Sequence, residues 1–398
     1  MDILNNSILF ISRRLRFKNS IAMTAIAISY LVMIIAVSVS SGFRREIRGS
    51  LSGISGDVQL TPPNLNVLDN SRPIDSNPSY LPKLYDVQGV ESIIPVVYRA
   101  GIIKQDENIH GVLFKGLPAE DARRNWPDSV SLAVVVPSRL SEITGLSAGD
   151  RMTAYFIGDK MNVRRFNVTG VYESLVEADD KIVVYASAED LQRLDGWGAD
   201  QVSAIEIILD DAHKSEEGIQ LAAMEIGAKV NAYSEGSESP VIARSSVSRY
   251  SQLFDWLNLI DFNVIFILFL MTIVAGFNMI SSLLILLFEN ISTIGLLKAL
   301  GMTDKGISRV FLAKASGLVL KGMAIGNALA FVFCIIQDRT HLLRLDPANY
   351  FVSFVPVDIN VPMVLAADAV SFAVILLLLL VPTMFISKVD PARTVRMK

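Results

Sequence analysis

Apolar residues in this chain gather into long unbroken runs near its two ends, while the stretch between them changes character every few residues. Residues 21–42 and 262–288 carry no charged side chain, 315–337 carry only Lys321, and 360–387 carry only Asp368. At about 1.5 Å per residue, each run is long enough to cross a hydrocarbon core of about 30 Å. The pattern predicts four transmembrane helices. The first run is longer than the apolar core of a signal peptide and lacks a small-x-small cleavage site, so it reads as a retained helix.

The segment 43–261 is large enough for a core of its own. Short apolar runs predict strands at 57–61, 91–104, 109–117, 133–136, 151–157, 163–172, 181–185 and 202–209. Helices are expected at 78–86, 138–144, 187–194 and 215–226, with Ser187 and Asp190 spaced as a capping box. Its edges read as helices running on from the membrane. Phe43, Ile47 and Leu51 follow the first span at helical spacing, and Gly53 with Gly56 ends that run. Tyr250, Phe254 and Leu257 form a similar stripe leading into the second span. The expected class is a membrane protein: four transmembrane α-helices with a large extracytoplasmic α+β domain between the first and second. Residues 1–56 form the N-terminal segment, first span and stalk. Residues 57–240 form the outer domain, and 241–398 form the second stalk, the remaining spans and the tail.

Composition sharpens this picture. Hydrophobic residues make up 51% and charged ones 19%, below the roughly one quarter of soluble proteins. A net charge of -4 argues against a nucleic-acid partner, which needs a basic field. Cys334 is the only cysteine, and His110, His213 and His341 are scattered, so neither a disulfide framework nor a metal site is expected. Arg13, Arg14, Arg16 and Lys18, then Lys298, Lys305 and Arg309, then Lys388, Arg393, Arg396 and Lys398 place both termini on the cytoplasmic side. Arg44, Arg45 and Arg48 work against that bias.

Several motifs carry chemistry or packing. GLSAG at 145–149 matches the serine-elbow pattern, but it follows a predicted helix and precedes a predicted strand, the reverse of what a nucleophile elbow needs. Ser147 therefore reads as a turn residue, with a membrane-anchored hydrolase as the competing class, and no catalytic residues are expected. There is no G-x-x-x-x-G-K-[ST] loop for ATP. After the second span, Glu289 opens a segment in which Ile291, Ile294, Leu297 and Leu300 recur at helical spacing; Gly301 stops it, and Thr303 can cap the next helix. By periodicity alone this is an interfacial helix that turns the chain round. Gly322, Gly326 and Ala330 form a small-xxx-small ladder, suited to internal packing or to a dimer face. Asp368 lies about 12 Å into the fourth span, at about 1.5 Å per residue, where a carboxylate either reaches the outer surface or serves a function.

The order of one span, a large outer domain and three more spans, with GFNMISS at 276–282 leading into IGLLKALG at 294–301, resembles the permease subunits of lipoprotein-releasing ABC transporters. These share a superfamily with the macrolide-exporter and cell-division permeases. Further stretches carry the likeness across nearly the whole chain: GV at 89–90, IP at 94–95, KGLP at 115–118, GLSAGD at 145–150, FNVTGVY at 166–172, VP at 381–382 and DPAR at 390–393. The resemblance implies a transporter membrane subunit of a bacterial inner membrane, not an enzyme, that extracts lipoproteins from the outer leaflet. The alternative within the superfamily is a mechanotransmitting permease for efflux or cell-wall hydrolase control. It turns 289–301 into a coupling helix, with Glu289, Ile291, Ile294, Gly295, Leu297, Lys298, Leu300 and Gly301 meeting a separate ATPase that binds ATP and magnesium. No cofactor is expected in this chain. The implied partners are that ATPase, a second permease chain (identical or paralogous), the lipoprotein, membrane lipid and a periplasmic carrier. Only a short connection joins Tyr155 to Arg164, with a tight turn at 158–160, which leaves no long hook for that carrier. Phe43, Ile47, Leu51, Tyr250, Phe254, Leu257 and Asp368 would line the path of the cargo's acyl chains, or the stalk residues would simply pack on one another.

Overall fold

The computed structural model describes residues 20–63, 65, 72–105, 108–121, 131–157, 161–172, 182–346 and 350–384. The predicted turn at 158–160, the basic residues before 20 and the tail beyond 384 lie outside them. Two compact units are present, one drawn from 1–44, 257–344 and 354–398, the other from 45–256 and 345–353.

Helix α1 (Ser20–Ser55) has no charged residue before Arg44 and runs without a break from residues of the first unit into residues of the second. Its end is set locally. Gly56 adopts φ +67°, and a Cβ there would lie 3.0 Å from the Glu206 Cβ and 3.2 Å from the Ile207 carbonyl oxygen. A left-handed conformation and a close backbone together favour glycine.

The second unit is α+β. Along the chain come β1 (Val58–Thr61), β2 (Ile74–Asp75), α2 (Leu81–Leu84), β3 (Val90–Gln105), β4 (Asn108–Leu117) and β5 (Ala133–Pro137). Then follow α3 (Ser138–Thr144), β6 (Arg151–Phe156), β7 (Asn162–Tyr172), β8 (Ile182–Ser187), α4 (Ala188–Asp195), β9 (Gln201–Val202) and β10 (Ala204–Leu209). The unit closes with α5 (Glu216–Tyr233), β11 (Ile242–Ser245) and α6 (Ser246–Arg249). Nine strands share one sheet in the order β11-β1-β10-β3-β4-β8-β5-β7-β6, and β2 pairs with β9 separately. The far end of β3 also pairs with β6, through Ile102↔Tyr155 and Ile103↔Ala154, which curls six of the strands into a ring. Phe114, Phe156 and Phe166 fill its interior with centroids 5.0–6.1 Å apart.

Three details depart from the sequence reading. The helix expected over 78–86 is a single turn, α2. The Ser187 side chain makes no capping hydrogen bond, and the Asp190 carboxylate bonds to Arg193 and to the Leu132 N–H rather than reaching back to the helix start. Strand β11, unforeseen, adds to the edge of β1.

The first unit holds α7 (Ser251–Glu289) from Leu257 onward, α8 (Ile291–Ala299), α9 (Asp304–Thr340) and α10 (Val361–Thr383) beside the start of α1. With α1, the helices α7, α9 and α10 are long and apolar enough to cross a membrane. Their inner faces meet in a core that includes Ile26, Tyr30, Met279, Leu283, Phe311 and Leu379. Phe262, Phe266, Phe269, Phe277 and Leu377 point outward and stay exposed, as lipid-facing residues must. The Thr303 side chain caps α9 by accepting from the Gly306 N–H at 3.2 Å.

Candidate functional site

The connection between the second and third spans is a short helix, α8, turned off by Gly301 at φ +91°. Its apolar residues do not all face one way, which corrects the single stripe read from spacing. Ile294, 1% exposed, belongs to the bundle core; Gly295 is buried and Leu297 packs against the same core. Leu296 at 56% and Leu300 at 75% are exposed, with Ile291 at the margin. Lys298 turns back to Asp304 at 2.9 Å and so fixes the corner into α9. Glu289 is exposed at the end of α7. The free apolar surface of α8 is therefore Ile291, Leu296 and Leu300, while Ile294 and Leu297 anchor the helix.

The small-residue ladder packs inside the chain. A Cβ on Gly322 would lie 2.7 Å from Ile26 Cγ2, and one on Gly326 would lie 2.5 Å from the Ala27 carbonyl oxygen. Ala330 continues the contact, buried in a cluster with Ile34 and Val37. Small residues on α9 thus let α1 approach closely where lipid supplies no hydrophobic drive. Asp368 faces the neighbouring helix α9. It is 7% exposed, and its Oδ2 accepts a hydrogen bond from Asn327 Nδ2 at 2.6 Å. Its Oδ1 and the Oδ1 of Asn327 are buried with no hydrogen-bond partner among the described residues. Ser371, one turn on, donates to the Asp368 carbonyl at 3.1 Å and lies 3.0 Å from the Tyr30 hydroxyl.

The stalk residues are covered by the chain itself. Phe43, Ile47, Leu51, Phe254 and Leu257 are buried, and Tyr250 is half-buried. Two of the three arginines that opposed the charge bias are held in pairs, Arg44 with Asp261 and Arg48 with Glu216.

The outer end of α1 carries a joint that periodicity did not reveal. Lys115 on β4 and Glu206 on β10 are both 0% exposed and 2.7 Å apart. Lys115 Nζ also donates to the carbonyls of Gly53 and Ile54, at 3.0 and 2.7 Å. Those carbonyls lie in the last turn of α1, where intrahelical donors run out and the helix dipole favours a cation. The Tyr98 hydroxyl donates to Glu206, and burial, followed by the Glu206 carboxylate, pushes the Tyr98 phenol well above its ordinary pKa. A buried lysine thus ties the helix end to the sheet, and its charge is balanced by a carboxylate fixed on another strand. A sequence signal existed: Lys115 and Glu206 are lone charges inside the apolar strands NIHGVLFKGL and AIEIIL.

Ser147 sits between α3 and β6, in a turn bounded by Gly145 at φ +71° and Gly149 at φ +102°. Its N–H donates to Asp150 Oδ2 at 2.8 Å. This helix-to-strand turn lacks the strand-to-helix geometry of a nucleophile elbow.

Residues 265–391 match the FtsX-like permease C-terminal family. Over 412 residues the chain is 23% identical to the lipoprotein-releasing system transmembrane protein LolC of Neisseria meningitidis serogroup B, which covers 96% of this chain and 94% of that protein. It is 21% identical over 402 residues to LolE of Haemophilus influenzae, covering 92% of this chain and 91% of that one. The periplasmic region of MacB from Actinobacillus actinomycetemcomitans overlays at a TM-score of 0.31 and 15% identity, over 49% of this chain and 91% of that chain. With the family match and the two full-length likenesses joined to four membrane helices and an outer α+β unit, the chain is a LolC/LolE-like ABC permease.

Proposed function

We propose that this chain is the permease subunit of an ABC transporter that extracts lipoproteins from the outer leaflet of a bacterial inner membrane, with both termini in the cytoplasm. Its full-length likeness to LolC and LolE carries the reading. In this reading a separate ATPase supplies ATP and magnesium chemistry and docks on α8, where Ile291, Leu296 and Leu300 offer an apolar surface on a helix anchored by Ile294 and Leu297. A second permease chain completes the transporter, and a soluble carrier receives the cargo. Each buried methylene is worth about 0.8 kcal/mol, so withdrawing three acyl chains from lipid costs on the order of 35 kcal/mol if nothing shields them. That load requires coupling to hydrolysis. The Lys115 joint supports a mechanical link, because it binds the end of α1 to the outer sheet through charge-assisted hydrogen bonds.

The test is copurification from native membranes. The wild-type chain should bring down an ABC ATPase, a permease partner and acylated lipoproteins. Leu296→Asp with Leu300→Asp should lose the ATPase and keep the permease partner. Recovery of an efflux duct or a cell-wall hydrolase in place of lipoproteins would overturn the assignment of cargo, and undiminished ATPase on the double variant would overturn the docking surface.

A further inference from the structure

The outer unit contains a partly open cavity of about 480 Å³, within the range of about 300–1,000 Å³ typical of small-molecule sites. Its floor is the outer face of the ring. Cross-strand partners share a face, so Ala100 with Leu113 and Ile102 with Gly111 lie together, and Val183 sits beside Leu113 on the next strand. The opposite face of the same strands carries Phe114 and the closed aromatic core, and a Cβ on Gly101 would lie 2.9 Å from Phe114 there. Ile54 at the end of α1, half-exposed Ile157, and Tyr250 complete apolar walls.

Two features give the cavity a chemistry. First, small residues hold the floor open: Gly111 and Ala100 alternate with larger neighbours, and a Cβ added at Gly111 meets nothing within 4 Å. Second, Arg244 on β11 and Arg249 on α6 line the same cavity, and neither side chain has a hydrogen bond or ion pair among the described residues. No acidic residue lines the cavity among the described residues, and Glu206 on β10 is committed to Lys115 and Tyr98. Two guanidiniums without a protein partner, Arg244 exposed and Arg249 half-buried, beside an apolar trough match an amphiphile with an anionic head.

We propose that this cavity binds one acyl chain bearing an anionic head group, a carboxylate or a phosphate, with the chain along the floor and the head on Arg244 and Arg249. A free fatty acid and an anionic phospholipid share this chemistry. The site stands on the cavity alone; only its use as a station for lipoprotein cargo rests on the proposed function.

The experiment uses the full-length protein in phosphatidylcholine nanodiscs, with no ATPase and no lipoprotein, so its result is independent of the transport reading. A diazirine-bearing palmitate is added, or diazirine-bearing phosphatidylglycerol is built into the disc, and adducts are mapped by peptide mass spectrometry. Adducts containing Ile102, Leu113 or Ile157 are expected with at least one probe, and the probe that labels identifies the source. Gly111→Leu, which fills the trough, should abolish them, with Ala100→Leu as a second filling variant should the first fail to fold. Arg244→Gln with Arg249→Gln should reduce them about tenfold, the loss expected for charge-assisted hydrogen bonds. Adducts confined to the membrane helices with both probes, or undiminished labelling in folded Gly111→Leu, would overturn the site. Equal labelling by a diazirine-bearing alkylamine would overturn the anionic head.

Discussion

Two buried carboxylates, Glu206 in the outer unit and Asp368 in the membrane unit, are solved in opposite ways. Glu206 has no exposed surface and receives Lys115 through both oxygens, at 2.7 and 2.8 Å, together with the Tyr98 hydroxyl. Asp368 receives one hydrogen bond, from Asn327, and leaves Oδ1 without a partner among the described residues. Burying a charge is costly unless it is paired and hydrogen-bonded. Glu206 meets that condition and works as a structural tie. Asp368 does not meet it, which marks a place where packing, rather than pairing, has fixed a polar group. The contrast separates a fully paired joint from a carboxylate with one acceptor left open.

The largest expected effect tests the closed joint. Lys115→Ala leaves the Glu206 carboxylate buried without its cation and the Gly53 and Ile54 carbonyls without their donor. Breaking one partner of a buried pair costs about 3–5 kcal/mol. The outer unit should melt far earlier, as read by circular dichroism or proteolysis of the stalk. Replacing both partners, Lys115→Met with Glu206→Leu, should recover part of that loss, since no charge is left buried although the Gly53 and Ile54 carbonyls still lack their donor. A single variant as stable as wild type would show that the tie is idle.

Why the joint escaped a reading of periodicity while the spans did not is a matter of range. The four membrane helices are legible because lipid demands runs without charge, and that demand is local. Most strands of the outer unit were also legible, since alternation and turn residues are local too. Their order was not. The pairing of Val58 with Ile207 and of Ile102 with Tyr155 joins segments far apart in sequence, and nothing in either segment names its partner. Strand β11, IARS, has no apolar run at all and exists because β1 offers it an edge. On α8 the four spaced aliphatics looked equivalent, but the bundle takes Ile294 and Leu297 and leaves Leu300 outside. The glycine ladder could not choose its partner until α1 was seen against it. Lys115 and Glu206 could have been flagged as lone charges in apolar strands, yet their pairing needed the sheet.

A smaller effect sharpens the other half of the comparison. Asp368→Asn keeps an acceptor for Asn327 Nδ2 and removes a carboxylate from a buried site. Stability of the full chain in nanodiscs should stay within about 1 kcal/mol of wild type or rise, because no tie is broken. Glu206→Gln, the same chemical change at the joint, should destabilise. If Asp368→Asn cost as much as Glu206→Gln, the carboxylate would be an essential structural partner and the contrast would collapse.

The smallest effect comes from a third buried carboxylate that lies between the two cases. Asp57, just past the end of α1, is 2% exposed, and its Oδ2 accepts the Leu209 N–H at 2.9 Å. Burial pushes its pKa above the ordinary aspartate value, and the Leu209 hydrogen bond offsets part of that rise. Between the unfolded and folded pKa values the folded state binds more protons than the unfolded one. Stability therefore falls as pH rises through that window, and the loss is complete once pH passes the folded pKa. Asp57→Asn retains an oxygen for the Leu209 N–H and has nothing to ionise. The variant should be slightly more stable than wild type at neutral pH, by less than about 1 kcal/mol, and its thermal stability should decline less steeply from acid to neutral conditions. Parallel profiles for the two proteins would show that Asp57 is satisfied as fully as Glu206, and that the Leu209 N–H, the Ser52 hydroxyl and the Lys214 charge together are enough to hold a carboxylate charged here.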